Sequence, residues 1–225
     1  MKRISVLLAD DHQVVREGFR SLLSHEPDIE VVGEAANGRE AVHLTRMLRP
    51  AVVVMDIAMP MLNGLEATRQ ICKAFPATRV LILSAHNDEV YVDQAHDLGA
   101  AGFLLKQASA HVLASAIRTV NQGNTYFAPE LSGQIQDRSS KSAPRTGSIE
   151  NHSFRLSSRE MEVLQLVAEG MSNKKVAAKL GVSFKTVDKH RQRLMGKLDI
   201  HDIAGLTRYA MAKGIIASNG HLDVS

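Results

Sequence analysis

Five short apolar runs, Ile4–Leu8, Ile29–Ala35, Val52–Met55, Val80–Ser84 and Gly102–Leu105, alternate with stretches of helical periodicity through the first half of this chain. No other feature restricts the fold as much. Runs this short and this continuous predict strands buried on both faces, as in the middle of a parallel sheet. The helical stretches are His12–Ser24, Gly38–Leu48, Gly64–Phe75 and Glu89–Leu98, and a last one, Ala110–Val120, follows Ser109 as its N-cap. Such alternation predicts a doubly wound, five-stranded parallel α/β sheet with right-handed crossovers.

A sheet of this kind binds ligands at the carboxyl ends of its strands. The first strand ends in Asp10-Asp11, the third in Asp56, the fourth in Ser84, and the fifth is followed by Lys106. With strands one and three as neighbours, three carboxylates share one cleft. Their mutual repulsion calls for a hard divalent cation, and carboxylates, backbone oxygens and water suit Mg²⁺. Any one of these residues alone reads as a strand-end turn residue. Together they form a site for a phosphoryl group, with Asp56 as nucleophile, Mg²⁺ and Lys106 offsetting charge, and Ser84 donating to an equatorial oxygen. His12 reads as a rim residue rather than a ligand, and Met47, Met55, Met59 and Met61 as core and loop packing.

From 132 to 153 the chain is rich in Ser, Gly and charge, which predicts a flexible linker. Residues 154–217 carry no strand pattern but four helical segments, Ser158–Glu169, Asn173–Leu180, Phe184–Leu198 and Asp202–Lys213. Ser157 and Glu160 are spaced as a capping box, and Leu164, Val167 and Ala168 form the first apolar stripe. The turn Leu180-Gly181-Val182-Ser183 makes segments two and three a helix-turn-helix, whose second helix enters the major groove of DNA. Val187, His190 or Arg191, Leu194 and Leu198 face the core, and Lys185, Asp188, Lys189, Gln192 and Arg193 lie opposite. Gln192 suits adenine, Lys189 suits guanine, and Arg193, Lys185 and Lys174 suit phosphates.

Charge separates the halves in the same way. Residues 1–131 hold 12 basic and 15 acidic residues, a net −3, whereas 154–217 hold 12 and 6, a net +6. Only the second half is suited to a polyanion. The single cysteine, Cys72, excludes a disulfide framework and suits the cytoplasm. No signal peptide pattern and no membrane-spanning run is expected.

Asp10-Asp11, Met55-Asp56-Ile57-Ala58-Met59-Pro60 with Asn63-Gly64, Ser84-Ala85 and Phe103-Leu104-Leu105-Lys106 resemble the receiver domain of two-component response regulators. Leu156 to Glu160, Gly170 to Lys174, Lys185-Thr186-Val187 and Lys197-Leu198 resemble the LuxR-type DNA-binding domain. Together they resemble a response regulator of the NarL/FixJ family, with a flavodoxin-like receiver (1–131), a linker (132–153), a four-helix DNA-binding domain (154–217) and a tail (218–225). The resemblance implies that Asp56 accepts phosphate from a sensor histidine kinase, and that Asp10, Asp11, Asp56 and the Ala58 carbonyl hold Mg²⁺. It implies Ser84 and Phe103 as a switch pair in which the ring swings into space the hydroxyl leaves. It places Asn173, Lys174, Lys185, Thr186, Asp188, Lys189, Gln192 and Arg193 at promoter DNA, and implies RNA polymerase as a further partner.

Activation would favour a homodimer through the last helix, with Ile203, Leu206 and Met211 on its face. Where the family often has lysine this chain has Asp188, which either reads a cytosine amino group or holds a neighbouring lysine. Ala58 and His86 lie where receiver side chains flank the water of dephosphorylation, and Ala58 has no polar atom to order it, so slow self-dephosphorylation is expected. The competing readings are a regulator controlled by a ligand or by nothing, and an Asp-nucleophile phosphohydrolase. The latter lacks a cap and a general acid or base beside Asp56. Neither G-x-G-x-x-G nor G-x-x-x-x-G-K-[ST] follows the first strand.

Overall fold

A computed structural model of the chain describes residues 3–85, 89–127 and 156–216. It divides into two compact units, Met1–Ser142 and Ala143–Ser225. The first is a parallel sheet of β1 (Ile4–Ala9), β2 (Ile29–Ala35), β3 (Val52–Asp56), β4 (Arg79–Ser84), β5 (Gly102–Leu105) and β6 (Tyr126–Phe127), in the order β2-β1-β3-β4-β5-β6. Its helices are α1 (Gln13–Ser24), α2 (Gly38–Leu48), α3 (Gly64–Ala74), α4 (Glu89–Asp97) and α5 (Ala110–Asn121).

Period-two alternation divides the strands between two apolar layers. Leu7, Val53, Met55 and Ile82 join residues of α2, α3 and α4 on one face. Val6, Leu8, Val52, Val54 and Leu81 join residues of α1 and α5 on the other. Both faces are therefore buried, which is why β3 reads as an unbroken run of branched residues. Side-chain caps fix several helix starts: Asn37 accepts from Glu40 N and Asn63 from Glu66 N, both at 2.9 Å, and Ser109 accepts from Val112 N as its sequence position predicts.

The five-stranded expectation needs correction, because β6 adds a sixth. Its two residues pair parallel to β5, Gly102 with Tyr126 and Phe103 with Phe127. Two residues carry no periodicity, so no pattern could announce it. Met47 also departs from its packing role: it is 66% exposed at the end of α2, whereas Met55 and Met59 are buried.

The second unit comprises α6 (Ser158–Ala168), α7 (Asn173–Leu180), α8 (Phe184–Leu198) and α9 (Ile203–Ala212). The capping box forms as expected, Ser157 N donating to Glu160 Oε2 at 2.8 Å and Glu160 N to Ser157 Oγ at 3.3 Å. Gly181 closes α7 at φ 64°. The apolar stripe of α6 is wider than predicted. Glu162, Val163, Gln165 and Leu166 are buried beside Leu164 and Val167, because α7, α8 and α9 all pack on this helix. On α8, Val187 and Leu194 are fully buried, while His190, Arg191 and Leu198 are half-buried. The predicted linker, 132–153, and tail, 218–225, lie outside the described residues.

Candidate phosphoacceptor pocket and nucleic-acid interface

The acidic pocket lies where β1 and β3, hydrogen-bonded neighbours, reach their carboxyl ends. Lys106 follows β5, and its Nζ stands 2.6 Å from Asp10 Oδ2 and 3.0 Å from Asp56 Oδ2. The two carboxylates are thus clamped by one ammonium group. Asp10 Oδ2, Asp56 Oδ2 and Asp11 Oδ1 are buried, and apart from these ion pairs and that of Asp11 with His12 they have no partner among the described residues. Burial pushes the Asp56 carboxyl up to about 6, with Asp10 and Asp11 adding to it and Lys106 opposing. Burial also pulls Lys106 down, but Asp10 and Asp56 outweigh it and hold the ammonium above its ordinary range.

Local structure holds these groups in place. Gly64 N donates to Ile57 O at 2.8 Å, closing the loop after β3. A Cβ at Gly64 would run into the backbone carbonyl of Asp56, so only glycine allows this close approach. Arg16, one turn into α1, donates to the Asp10 carbonyl at 2.6 Å. His12 N donates to Asp10 Oδ1 at 2.9 Å, and its ring Nδ1 lies 2.8 Å from Asp11 Oδ1. His12 stays exposed at the rim, as its sequence position suggests, but it braces both carboxylates. Sequence reading missed Arg16; the helical spacing from His12 to Arg16 was the available signal.

One oxygen each of Asp10, Asp11 and Asp56 and a nitrogen of His12 lie within 4.8 Å of one another. Unsatisfied hard oxygen donors around one point match Mg²⁺ better than a thiophilic ion. Ala58 is exposed on the loop beside them, and Ser84 is buried at the end of β4, one residue beyond the pairing of Asp56 with Leu83. Phe103 is fully buried, in the same apolar layer as Met55 and Ile82. The ring thus already occupies the interior. His86 lies outside the described residues.

On α8 the structure exposes Lys185, Lys189, Gln192 and Arg193, with Thr186 and Asp188 part-exposed; on α7 Lys174 is exposed and Asn173 part-exposed. Among the described residues no lysine pairs with Asp188. Its carboxylate accepts from Gln192 Nε2 at 3.0 Å, one turn further along. Arg191 donates to Asn173 Oδ1 at 3.1 Å, tying the middle of α8 to the start of α7. The proposed dimer face needs one correction. Leu206 is fully buried against the unit's own core, whereas Ile203 and Met211 on the same helix are exposed. A residue sealed inside its own fold cannot meet a second copy.

A clamped carboxylate cluster on a doubly wound sheet and a basic helix-turn-helix in one chain define a phosphoryl-responsive DNA-binding protein. Residues 6–118 match the response regulator receiver domain, and residues 155–210 match the bacterial regulatory proteins of the luxR family. The chain is 40% identical over 215 residues to the oxygen regulatory protein NreC of Staphylococcus carnosus, covering 95% of this chain and 99% of that one. It is 36% identical to the transcriptional regulatory protein DegU of Brevibacillus brevis, covering 89% of each. Among solved structures it resembles the response regulator ChrA of a heme-sensing two-component system, at 35% identity and TM-score 0.52 over 96% of this chain and 100% of that one. A structure of two RcsB dimers bound to two parallel DNAs matches at 26% identity and TM-score 0.56, over 94% and 99%.

The chain belongs to the LuxR family of two-component response regulators. It is a phosphorylation-dependent DNA-binding regulator of transcription. Among the described residues no helix is long and apolar enough to cross a membrane.

Proposed function

We propose that Asp56 is the phosphoacceptor of this regulator, and that its phosphorylation by a sensor histidine kinase controls how the second unit binds promoter DNA. The observation that carries this is the Lys106 ammonium held between Asp10 and Asp56 at 2.6 and 3.0 Å. In the transfer, a carboxylate oxygen of Asp56 attacks phosphorus, the bond from phosphorus to the kinase's histidine nitrogen breaks, and that nitrogen takes up a proton from solvent. Asp10, Asp11, Asp56 and the Ala58 carbonyl are the residues to hold Mg²⁺. The ion supplies charge neutralisation for the phosphoryl oxygens. Lys106 is positioned to follow the charge from the carboxylate to the phosphoryl oxygens, and the Ser84 hydroxyl to donate to one of them.

The response is a shift between two states of the first unit, with Ser84 and Phe103 as the paired groups that differ. The DNA-facing groups are Asn173, Lys174, Lys185, Thr186, Asp188, Lys189, Gln192 and Arg193, and binding is by a homodimer that uses Ile203 and Met211. The RcsB dimers solved on DNA support dimeric binding. RNA polymerase is the downstream partner and the cytoplasm the compartment. The test is selection of duplexes from a random pool by the full chain, with and without acetyl phosphate and Mg²⁺, for wild type and Asp56→Asn. Sequence-selective binding enhanced by acetyl phosphate in wild type alone is expected. Equal binding in all four arms overturns control by phosphate and leaves DNA binding standing.

A further inference from the structure

The recognition helix α8 opens with a large exposed hydrophobic side chain. Phe184 is 57% exposed, on a helix whose other exposed positions include Lys185, Lys189, Gln192 and Arg193. Most of this side chain is left in water at the tip of a basic helix, whereas Val187 and Leu194 fill the core from the same helix. The helix turn that carries Phe184 is anchored. Ser183 caps the helix by accepting from Thr186 N at 3.1 Å, and the Ser183 and Thr186 hydroxyls lie 2.8 Å apart. Spacing of i, i+4 and i+8 sets Phe184 on one row with Asp188 and Gln192. That row is further ordered by the bond from Gln192 to Asp188.

We propose that Phe184 is a specificity-determining residue that packs its ring on the C5 methyl group of a thymine in the major groove. The proposal rests on the DNA-binding reading above. The first residues of a recognition helix are those that meet base edges, and the thymine methyl is the one apolar feature the major groove offers to an aromatic ring. The surrounding lysines and arginine bring the ring to DNA, since a polyanion complements their charge. A second copy of the chain, equally basic here, would be repelled.

The experiment is a methyl-deletion scan with the full chain. After selection of its preferred duplex, each thymine in turn is replaced by uracil, which removes only the C5 methyl group, and affinity is measured for wild type, Phe184→Ala and Lys189→Ala. In wild type one thymine per half-site is expected to lose about fourfold on replacement, the effect of withdrawing one buried methyl group. In Phe184→Ala the same replacement is expected to have no effect, while Lys189→Ala keeps the methyl dependence and binds more weakly. Uracil tolerated everywhere by wild type overturns the proposal, as does a methyl dependence that survives in Phe184→Ala. Equal weakening of Phe184→Ala on every duplex, with the selected sequence unchanged, also overturns it, by assigning the ring to the DNA backbone. If wild type binds no duplex at all, it is the DNA-binding reading that has failed, and that result is distinct from the others.

Discussion

Phe103 and Phe127 are register partners across the β5–β6 pair, so the switch aromatic proposed for the first unit lies beside the last described residues before the second. Phe127 also meets the ring of His96 on α4, with centroids 5.9 Å apart. A shift of Phe103 therefore has β6 as its immediate neighbour. The pairing depends on Gly102, where a Cβ would stand 2.5 Å from the Tyr126 carbonyl oxygen and 2.8 Å from Leu81 Cδ1. Gly102→Ala is expected to destabilise the first unit by about 1–3 kcal/mol, the usual cost of overpacking. It should also free β6. Hydrogen exchange at the Tyr126 amide, which donates to Ala101 O at 2.9 Å, reads this directly. Unchanged protection would mean that Leu81 absorbs the methyl group and β6 stays paired.

The charge state of Asp56 gives a pH dependence in protein stripped of divalent ions with EDTA. Its folded value, about 6, lies above the ordinary 3.8, so ionisation costs the fold stability. The native state binds more protons than the unfolded state between those values, and stability falls as pH rises through that window, then levels off above it. Asp56→Asn removes the cost. It is expected to stabilise the metal-free first unit at pH 7 by on the order of 3 kcal/mol, with the advantage shrinking as pH falls from 6 toward 4. Denaturant melts at several pH values measure it. A variant no more stable than wild type at pH 7 would mean that Lys106 fully offsets burial.

Much of this arrangement is legible in the sequence because strands buried on both faces leave a strong signature. Val52–Met55 reads as an interior strand, and it carries Asp56 to the sheet edge beside Asp10. The five long strands and the Gly181 turn follow from the same kind of local signal. What the sequence hides is set by partners distant along the chain or by too few residues. Tyr126 and Phe127 form a strand only because Gly102 leaves room. Leu206 belongs to the core only because α6 lies under it, and amphipathic spacing cannot tell a core face from a docking face. Asp188 meets Gln192 at i+4 although Lys185 stands at i−3, and helical spacing allows either pair without choosing between them.

Ala58 sets an expectation for the lifetime of the phosphoryl group. Its methyl group is exposed beside the pocket and can neither accept from nor donate to an attacking water. A phosphoryl group on Asp56 is therefore expected to persist for minutes or longer in Mg²⁺, and Ala58→Asn, which supplies an amide, is expected to shorten that several-fold. Loss of phosphate after removal of acetyl phosphate, followed on phosphate-affinity gels, gives both numbers. Decay of the wild type within seconds would sink the expectation.

The second unit holds together through a charge pair that spans it. Lys197 near the end of α8 reaches Glu160 Oε2 at 2.7 Å, and the same oxygen accepts from Ser157 N in the capping box of α6. Burial pushes the Glu160 carboxyl up, but the Lys197 ammonium and the Ser157 groups outweigh burial and hold it below the usual range. A depressed folded value means that this contribution is complete above the ordinary 4.5 and is lost as pH falls through the folded value. Lys197→Met keeps the apolar stem and removes the charge, leaving a buried carboxylate short of one partner. It is expected to cost the unit about 1–3 kcal/mol at pH 7. The gap from wild type should close as pH falls below 4.5, because protonated Glu160 no longer needs the ammonium. Thermal unfolding followed through the amide resonances of α6 separates this unit from the first. A gap that stayed constant with pH would assign the loss to packing of the lysine stem and not to its charge.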